Sequence, residues 1–295
     1  MSFPPPPVTT LNWENLGFVS QQFNGHIECR YNVTDGSWSE PELVLDPFLR
    51  IHGLSPALNY GQQAYEGLKA FRDPNGQIYI FRPELHAERL NHSAMYVSIP
   101  SIPKTLFSKA VHLAVSHNAE YVPPHDSNAS LYIRPLVFGS AANLPLSPPP
   151  EYLFCVYVQP LNAYHGTNAA DALIMDDFDR AAPEGTGSAK VGGNYAPVIR
   201  WSEKAKKEGY GITLHLDSKT RSKIDEFSTS GFIGVLQGEN EVPWKLVVPD
   251  SKSAIKSITS DSCLELAKKF GWQVEIRQVG HIIHRTQYDG RLISV

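Results

Sequence analysis

The run Gly185-Thr186-Gly187-Ser188-Ala189-Lys190-Val191-Gly192-Gly193-Asn194-Tyr195 constrains this chain more than any other stretch: a single lysine stands among small residues and is followed by a tyrosine. Two common nucleotide-binding folds are set aside by it. A P-loop needs Gly-Lys followed by Ser or Thr, whereas Lys190 lies between Ala189 and Val191. A dinucleotide fingerprint fails because Lys190 takes the place of its third glycine. By itself the run reads as a glycine-rich surface turn. Its chemistry also suits a Schiff-base lysine: small neighbours let a planar group approach the backbone, and desolvation favours loss of the ammonium proton.

The length of 295 residues, with 42% hydrophobic and 19% charged content, is that of a folded chain with room for two compact domains. Twenty-six basic and thirty acidic residues give a net charge of -4, and no long run of one sign marks a nucleic-acid or membrane surface. Cys29, Cys155 and Cys263 are odd in number and widely spaced, which fits a reducing compartment. The head, Met1-Ser2-Phe3 before Pro4 to Pro7, lacks the features of a signal peptide, and no apolar run approaches spanning length. A cytoplasmic location is the expectation.

After a polyproline II head, alternation predicts strands over 25–31 and 77–81, with a hairpin at Asn75-Gly76. Pro83 opens a helix through Met95 that carries Arg89. Buried strands follow over 131–138 and 151–159, separated by the proline-rich loop 144–150. Weak periodicity over 161–170 places the interdomain connection there, so that 1–160 forms the first domain and 171–295 the second. In the second, strands are predicted over 172–175, 212–216 and 232–236, and helices over 196–208 and 260–270. This order gives a mixed helix-and-strand chain without internal repeats.

Five blocks in one order carry a resemblance: Leu58-Asn59-Tyr60-Gly61 with Tyr65-Glu66-Gly67; Arg89-Leu90-Asn91-His92-Ser93-Ala94; Tyr132-Ile133-Arg134-Pro135; Lys190 to Tyr195; and Asp225-Glu226-Phe227-Ser228-Thr229. With them the chain resembles the branched-chain aminotransferase family of fold-type IV pyridoxal-phosphate (PLP) enzymes over roughly residues 40 to 278. The resemblance implies an α+β fold of two domains, a small α/β N-terminal one and a larger, β-barrel-like C-terminal one.

It also implies roles. Lys190 is the Schiff-base lysine, serving as covalent anchor and then moving the proton between Cα and C4′. Glu226 pairs with the pyridine nitrogen and keeps it protonated; Asp225 beside it points to the opposite face of a strand. Arg89 binds the phosphate, joined by the amides of Ile258 and Thr259 at a helix N-terminus. Tyr195 bonds the phenolic oxygen, and Ser228 and Thr229 complete the cofactor contacts. Tyr60, Tyr65, Tyr132, Arg134 and Tyr164 surround the substrate, with Arg134 open to a second role as a structural ion pair. A homodimer is implied, with Tyr60 acting across its interface. No metal is assigned, since His281 and His284 lack an accompanying zinc motif.

The resemblance weakens at the tail. After Val279 a Gly-Thr-Ala-Ala-like turn is expected, and Gly280 to Val295 does not contain it; Gly231 stands where many relatives carry asparagine. The expected activity is amino transfer between an aliphatic amino acid and 2-oxoglutarate. Other fold-type IV chemistry, of the aminodeoxychorismate lyase or D-amino acid transaminase kind, and a truncated relative without activity remain as alternatives.

Overall fold

The computed structural model of the chain describes residues 3–17, 23–162, 169–238 and 243–280. Tyr164 and the tail 281–295, with His281, His284 and the expected turn, lie outside them. Two compact units emerge: Met1–Gly166 with Lys190–Gly192, and Thr167–Ala189 with Gly193–Val295.

The first unit is built on one antiparallel sheet. Its strands are β1 (His26–Asn32), β2 (Ser37–Trp38), β3 (Glu42–Val44), β4 (Gln63–Tyr65), β5 (Leu68–Arg72), β6 (Ile78–Ile80), β7 (Ser130–Gly139) and β8 (Glu151–Leu161). The main path runs β2-β1-β8-β7-β5-β6, with β3 paired to β1 and β4 to β7. The hairpin at Asn75-Gly76 joins β5 to β6, and Gly76 adopts the positive φ of 81° that such a turn asks of glycine. Helix α1 (Pro56–Tyr60) is short; α2 (Pro83–Tyr96) and α3 (Lys104–His117) pack on the sheet.

Alternation along β7 decides what faces where. Leu131, Ile133 and Val137 are fully buried on the face where Phe107 of α3 stacks on Phe154 of β8. Tyr132 and Arg134 therefore point to the other face, opposite Gln159 and Tyr157. Each large side chain buried on the helix side stabilises the unit by about 1.5–3 kcal/mol, so the register of β7 is strongly held, and with it the placement of Tyr132 and Arg134.

In the second unit, β9 (Ala172–Met175), β10 (Ile212–Leu216) and β11 (Ile224–Phe227) form one sheet in the order β11-β10-β9. β12 (Gly234–Leu236), β13 (Lys245–Pro249) and β14 (Gln273–Arg277) form another. The pairs β9–β10 and β13–β14 are parallel, which requires a crossover. The short helix α4 (Gly192–Tyr195) precedes α5 (Ile199–Lys207), which packs on β10, and α6 (Ile258–Lys269) packs on β13 and β14. The described residues of this unit thus display two three-stranded sheets, and the first unit, not the second as expected, is the larger. The strand predicted over 232–236 begins only at Gly234, because Phe232 turns into the cluster around Phe227 while Ile233 joins Leu246 and Leu264. Among the described residues no helix is long and apolar enough to cross a membrane, and all three cysteines are free.

Candidate active site

Lys190 is fixed by its backbone within the first unit. Its N–H donates to Ser93 Oγ of α2 at 2.8 Å, and its carbonyl accepts from the Tyr65 N–H at 3.0 Å. Ser93 in turn donates to the Arg89 carbonyl at 2.9 Å, and Val191 bridges to Ala64 of β4. With both backbone groups tied, the half-buried side chain is aimed by the sheet, and Nζ stands 4.8 Å from the centre of the Tyr65 ring.

Arg89 lies one helical turn before Ser93 on α2 and is not a surface arginine. Its Nε and Nη2 donate to the two oxygens of Glu66 at 2.6 and 2.8 Å, a fork-to-fork pair. Glu66 is entirely buried, and its Oε2 also accepts from His86 Nδ1 at 2.7 Å and the Gly67 N–H at 3.1 Å. Burial pushes this carboxyl up. The bonds from Arg89 and His86 and their charges outweigh that and hold it at about 2, against 4.5 ordinarily. The guanidinium plane is thus set by a carboxylate that stays ionised. Glu66 stands inside one of the sequence blocks, yet nothing in its spacing names its partner, 23 residues away.

On the other face of β7, the Arg134 Nη2 donates to the Tyr132 hydroxyl at 2.6 Å. Its guanidinium lies over the Tyr65 and Tyr132 rings, 4.7 and 5.1 Å from their centres. Among the described residues Arg134 has no carboxylate at ion-pair distance, so aromatic groups position an exposed cation. Gly67 matters here: a Cβ on it would strike the Tyr132 hydroxyl and come within 2.8 Å of its Cζ. Tyr60, half exposed at the end of α1, spends its hydroxyl on the Leu144 carbonyl.

In the second unit the glycine-rich run is an internally bonded loop. The Asn194 side chain donates to the carbonyls of Thr186 at 2.6 Å and Ala189 at 2.9 Å and accepts from Thr186 Oγ1 at 2.8 Å. Gly187 is buried, and a Cβ there would collide with the Ser253 carbonyl and with Ala181. Tyr195 ends α4, with the Arg180 guanidinium 5.7 Å from its ring centre. Glu226 of β11 is buried, is paired with Arg180, and accepts from the Ile255 N–H at 3.3 Å. Asp225 turns elsewhere, to Ser251 Oγ at 2.6 Å. Ser228 is buried beside Glu226, with its N–H on the Thr213 carbonyl, and Thr229 is exposed.

Ile258 and Thr259 open α6, whose cap Ser257 accepts from the Ser260 N–H at 3.0 Å. Gly231 lies against this end: a Cβ on it would stand 2.9 Å from Ser257 Cβ and 3.1 Å from its Oγ. A side chain at position 231 would therefore crowd the cap of α6. Within the first unit a backbone-anchored lysine stands with a carboxylate-pinned guanidinium, and within the second a buried carboxylate is held by an arginine and a backbone amide.

Comparison with known proteins agrees. The model of the class IV amino-transferases matches residues 63–281. Aminotransferase poxL of Penicillium oxalicum is 60% identical over 277 residues, covering 94% of this chain and 75% of that one. The branched-chain amino acid aminotransferase gloG of Glarea lozoyensis is 50% identical over 284 residues, covering 95% and 79%. Among solved structures, the branched-chain amino acid aminotransferase of Escherichia coli superposes with a TM-score of 0.69 at 27% identity, covering 81% of this chain and 76% of that one. The chain belongs to the class IV aminotransferases, a PLP-dependent family with the fold-type IV architecture.

Proposed function

We propose that this aminotransferase exchanges an amino group between a branched-chain or other aliphatic amino acid and 2-oxoglutarate, with Lys190 as the residue that carries PLP. The observation that carries this reading is the double backbone anchoring of Lys190, which leaves Nζ over the Tyr65 ring. The aliphatic preference is supported by the gloG relative and by the aromatic surroundings of Arg134. When bound, PLP supplies an electron sink that stabilises charge at the substrate Cα.

The protein's own residues do the rest. Lys190 Nζ would anchor the cofactor and, when freed, would serve as the base and acid that moves the proton lost from the substrate Cα. Arg89, oriented by Glu66, binds phosphate oxygens, as do the α6 amides of Ile258 and Thr259, with Ser228 and Thr229 completing the cofactor contacts. Glu226 holds the proton at the pyridine nitrogen, and the Tyr195 hydroxyl bonds the phenolic oxygen. Arg134 and the Tyr132 hydroxyl receive a carboxylate, the feature that suits a dicarboxylic oxo acid. Tyr60 and Tyr65 shape the apolar part of the pocket, and the family resemblance alone adds Tyr164 to the substrate residues. We also propose a cytoplasmic homodimer in which Tyr60 serves the partner's site, on the strength of the family resemblance.

The test is a coupled assay of glutamate formation from 2-oxoglutarate with leucine, isoleucine and valine against aromatic, acidic and D-amino acids. Turnover with the aliphatic L-donors that disappears in Lys190→Ala is expected. Full turnover in Lys190→Ala, or turnover confined to D-amino acids, overturns the reading.

A further inference from the structure

The β10–β11 pair presents an unusual face. Thr213, His215, Glu226 and Ser228 are all polar and all at most 4% exposed. The opposite face, with Leu214, Leu216 and Phe227, packs into an apolar cluster. Cross-strand register sets His215 directly opposite Glu226, so both side chains project from one side of the pair.

The groups that meet Glu226 can be named. The Arg180 guanidinium, itself buried, makes an ion pair with Glu226 through Nη1, and the same nitrogen donates to the Gly187 carbonyl at 3.4 Å. Ile255 contributes an amide. His215 faces it from β10, with Nε2 3.1 Å from Thr213 Oγ1 and its ring edge-on to Phe178 at 6.0 Å. Burial, and then the charge of Arg180, press His215 down to about 4, so no second cation forms there at neutral pH. Asp225, the adjacent acid, is engaged with Ser251.

A carboxyl removed from water takes up a proton unless a fixed cation or donor opposes it. A neutral acid cannot keep a pyridine nitrogen protonated, since that nitrogen needs an anionic partner. We propose that Arg180 is a positioning residue for the transamination: it keeps Glu226 ionised and aimed, and thereby sets the protonation of the cofactor nitrogen without touching the reacting atoms. This rests on the role assigned to Glu226 above. Lysine in its place would keep the charge without the planar fork, and an uncharged residue would lose both.

The experiment uses purified protein with and without PLP. Without cofactor, infrared spectroscopy at neutral pH is expected to show a protonated-carboxyl stretch in Arg180→Met that wild type lacks and that vanishes in Arg180→Met/Glu226→Gln. With cofactor, Arg180→Met is expected to lose about tenfold or more in kcat at pH 7 with KM little changed, as for an effect confined to the reaction step. Activity should recover as pH rises and Glu226 ionises again, while Arg180→Lys keeps most of the wild-type profile. Isotope-labelled PLP would report an unprotonated ring nitrogen in Arg180→Met and a protonated one in Arg180→Lys. If Arg180→Met does not fold, Arg180→Gln takes its place. A carboxyl spectrum and nitrogen protonation identical to wild type in the uncharged variant overturn the proposal, as does a loss of activity equal at every pH. Wild-type turnover in Glu226→Gln alone would instead show that Glu226 has been given the wrong role.

Discussion

Glu66→Gln isolates the carboxylate that orients Arg89. In the wild type this side chain is wholly buried and accepts four hydrogen bonds, from Arg89 twice, His86 and the Gly67 amide. Its carboxyl titrates at about 2 in the folded chain against 4.5 ordinarily, because the bonds and charges of Arg89 and His86 overcome the effect of burial. At about 1.36 kcal/mol per tenfold change in proton affinity, that difference corresponds to roughly 3 kcal/mol of folding stability at neutral pH. The sign follows from the direction: a depressed acid contributes fully above its unfolded value and loses its contribution as pH falls from 4.5 towards about 2.

Glutamine keeps one acceptor but leaves the partly buried Arg89 guanidinium facing a neutral amide, so the cost at pH 7 is expected at about 3–5 kcal/mol. Urea unfolding from pH 7 down to pH 3, with hydrogen exchange of α2 peptides to assign the transition to the first unit, measures it. The variant should be less stable at neutral pH, and the gap should narrow as pH falls below 4.5, where the unfolded wild-type chain takes up a proton that the folded carboxyl does not. Equal stability at pH 7, or a gap that does not change with pH, would show that Glu66 does not stabilise the fold through Arg89 and His86.

Gly67→Ala should force the Tyr132 hydroxyl off Arg134, costing about 1–3 kcal/mol from overpacking; steady-state kinetics should show KM for 2-oxoglutarate rising more than KM for the amino donor. Gly187→Ala places a methyl against the Ser253 carbonyl, and urea melts should reveal a loss of about 1–3 kcal/mol, with unchanged stability counting against the tight loop. The His215 ring should titrate near 4 by NMR instead of near 6.5. Because its folded value is depressed, stability linked to it is present above 6.5 and fades as pH falls towards 4.

Much of this fold could be read from the chain because the signal was local. The strands at 172–175 and 212–216 have the expected bounds, since each is a short apolar run between breakers, and Pro83 marks the start of α2 as its geometry requires. Helix α3 carries the same kind of signal, with Phe107, Ala110, Val111, Ala114 and Val115 on its buried side. Lys190, Arg89 and Glu226 stand out through the motif blocks. Their partners do not, because Glu66 meets Arg89 only once a strand end packs beneath α2, and Arg180 meets Glu226 across 46 residues of chain that must fold first. His215 is hidden for a related reason: it shares the polar face of β10 with Thr213 alone, and only the register with β11 brings it opposite a carboxylate. Pairings between distant elements, set by sheet register and helix packing, are not encoded in residue type or spacing.

Lys190 is the residue proposed to carry the cofactor. Reconstitution with PLP, borohydride reduction and peptide mass mapping test it directly. A reduced phosphopyridoxyl adduct is expected on the peptide containing Lys190, and none in Lys190→Ala. An adduct on a different lysine, or no adduct in protein that remains folded, would contradict it.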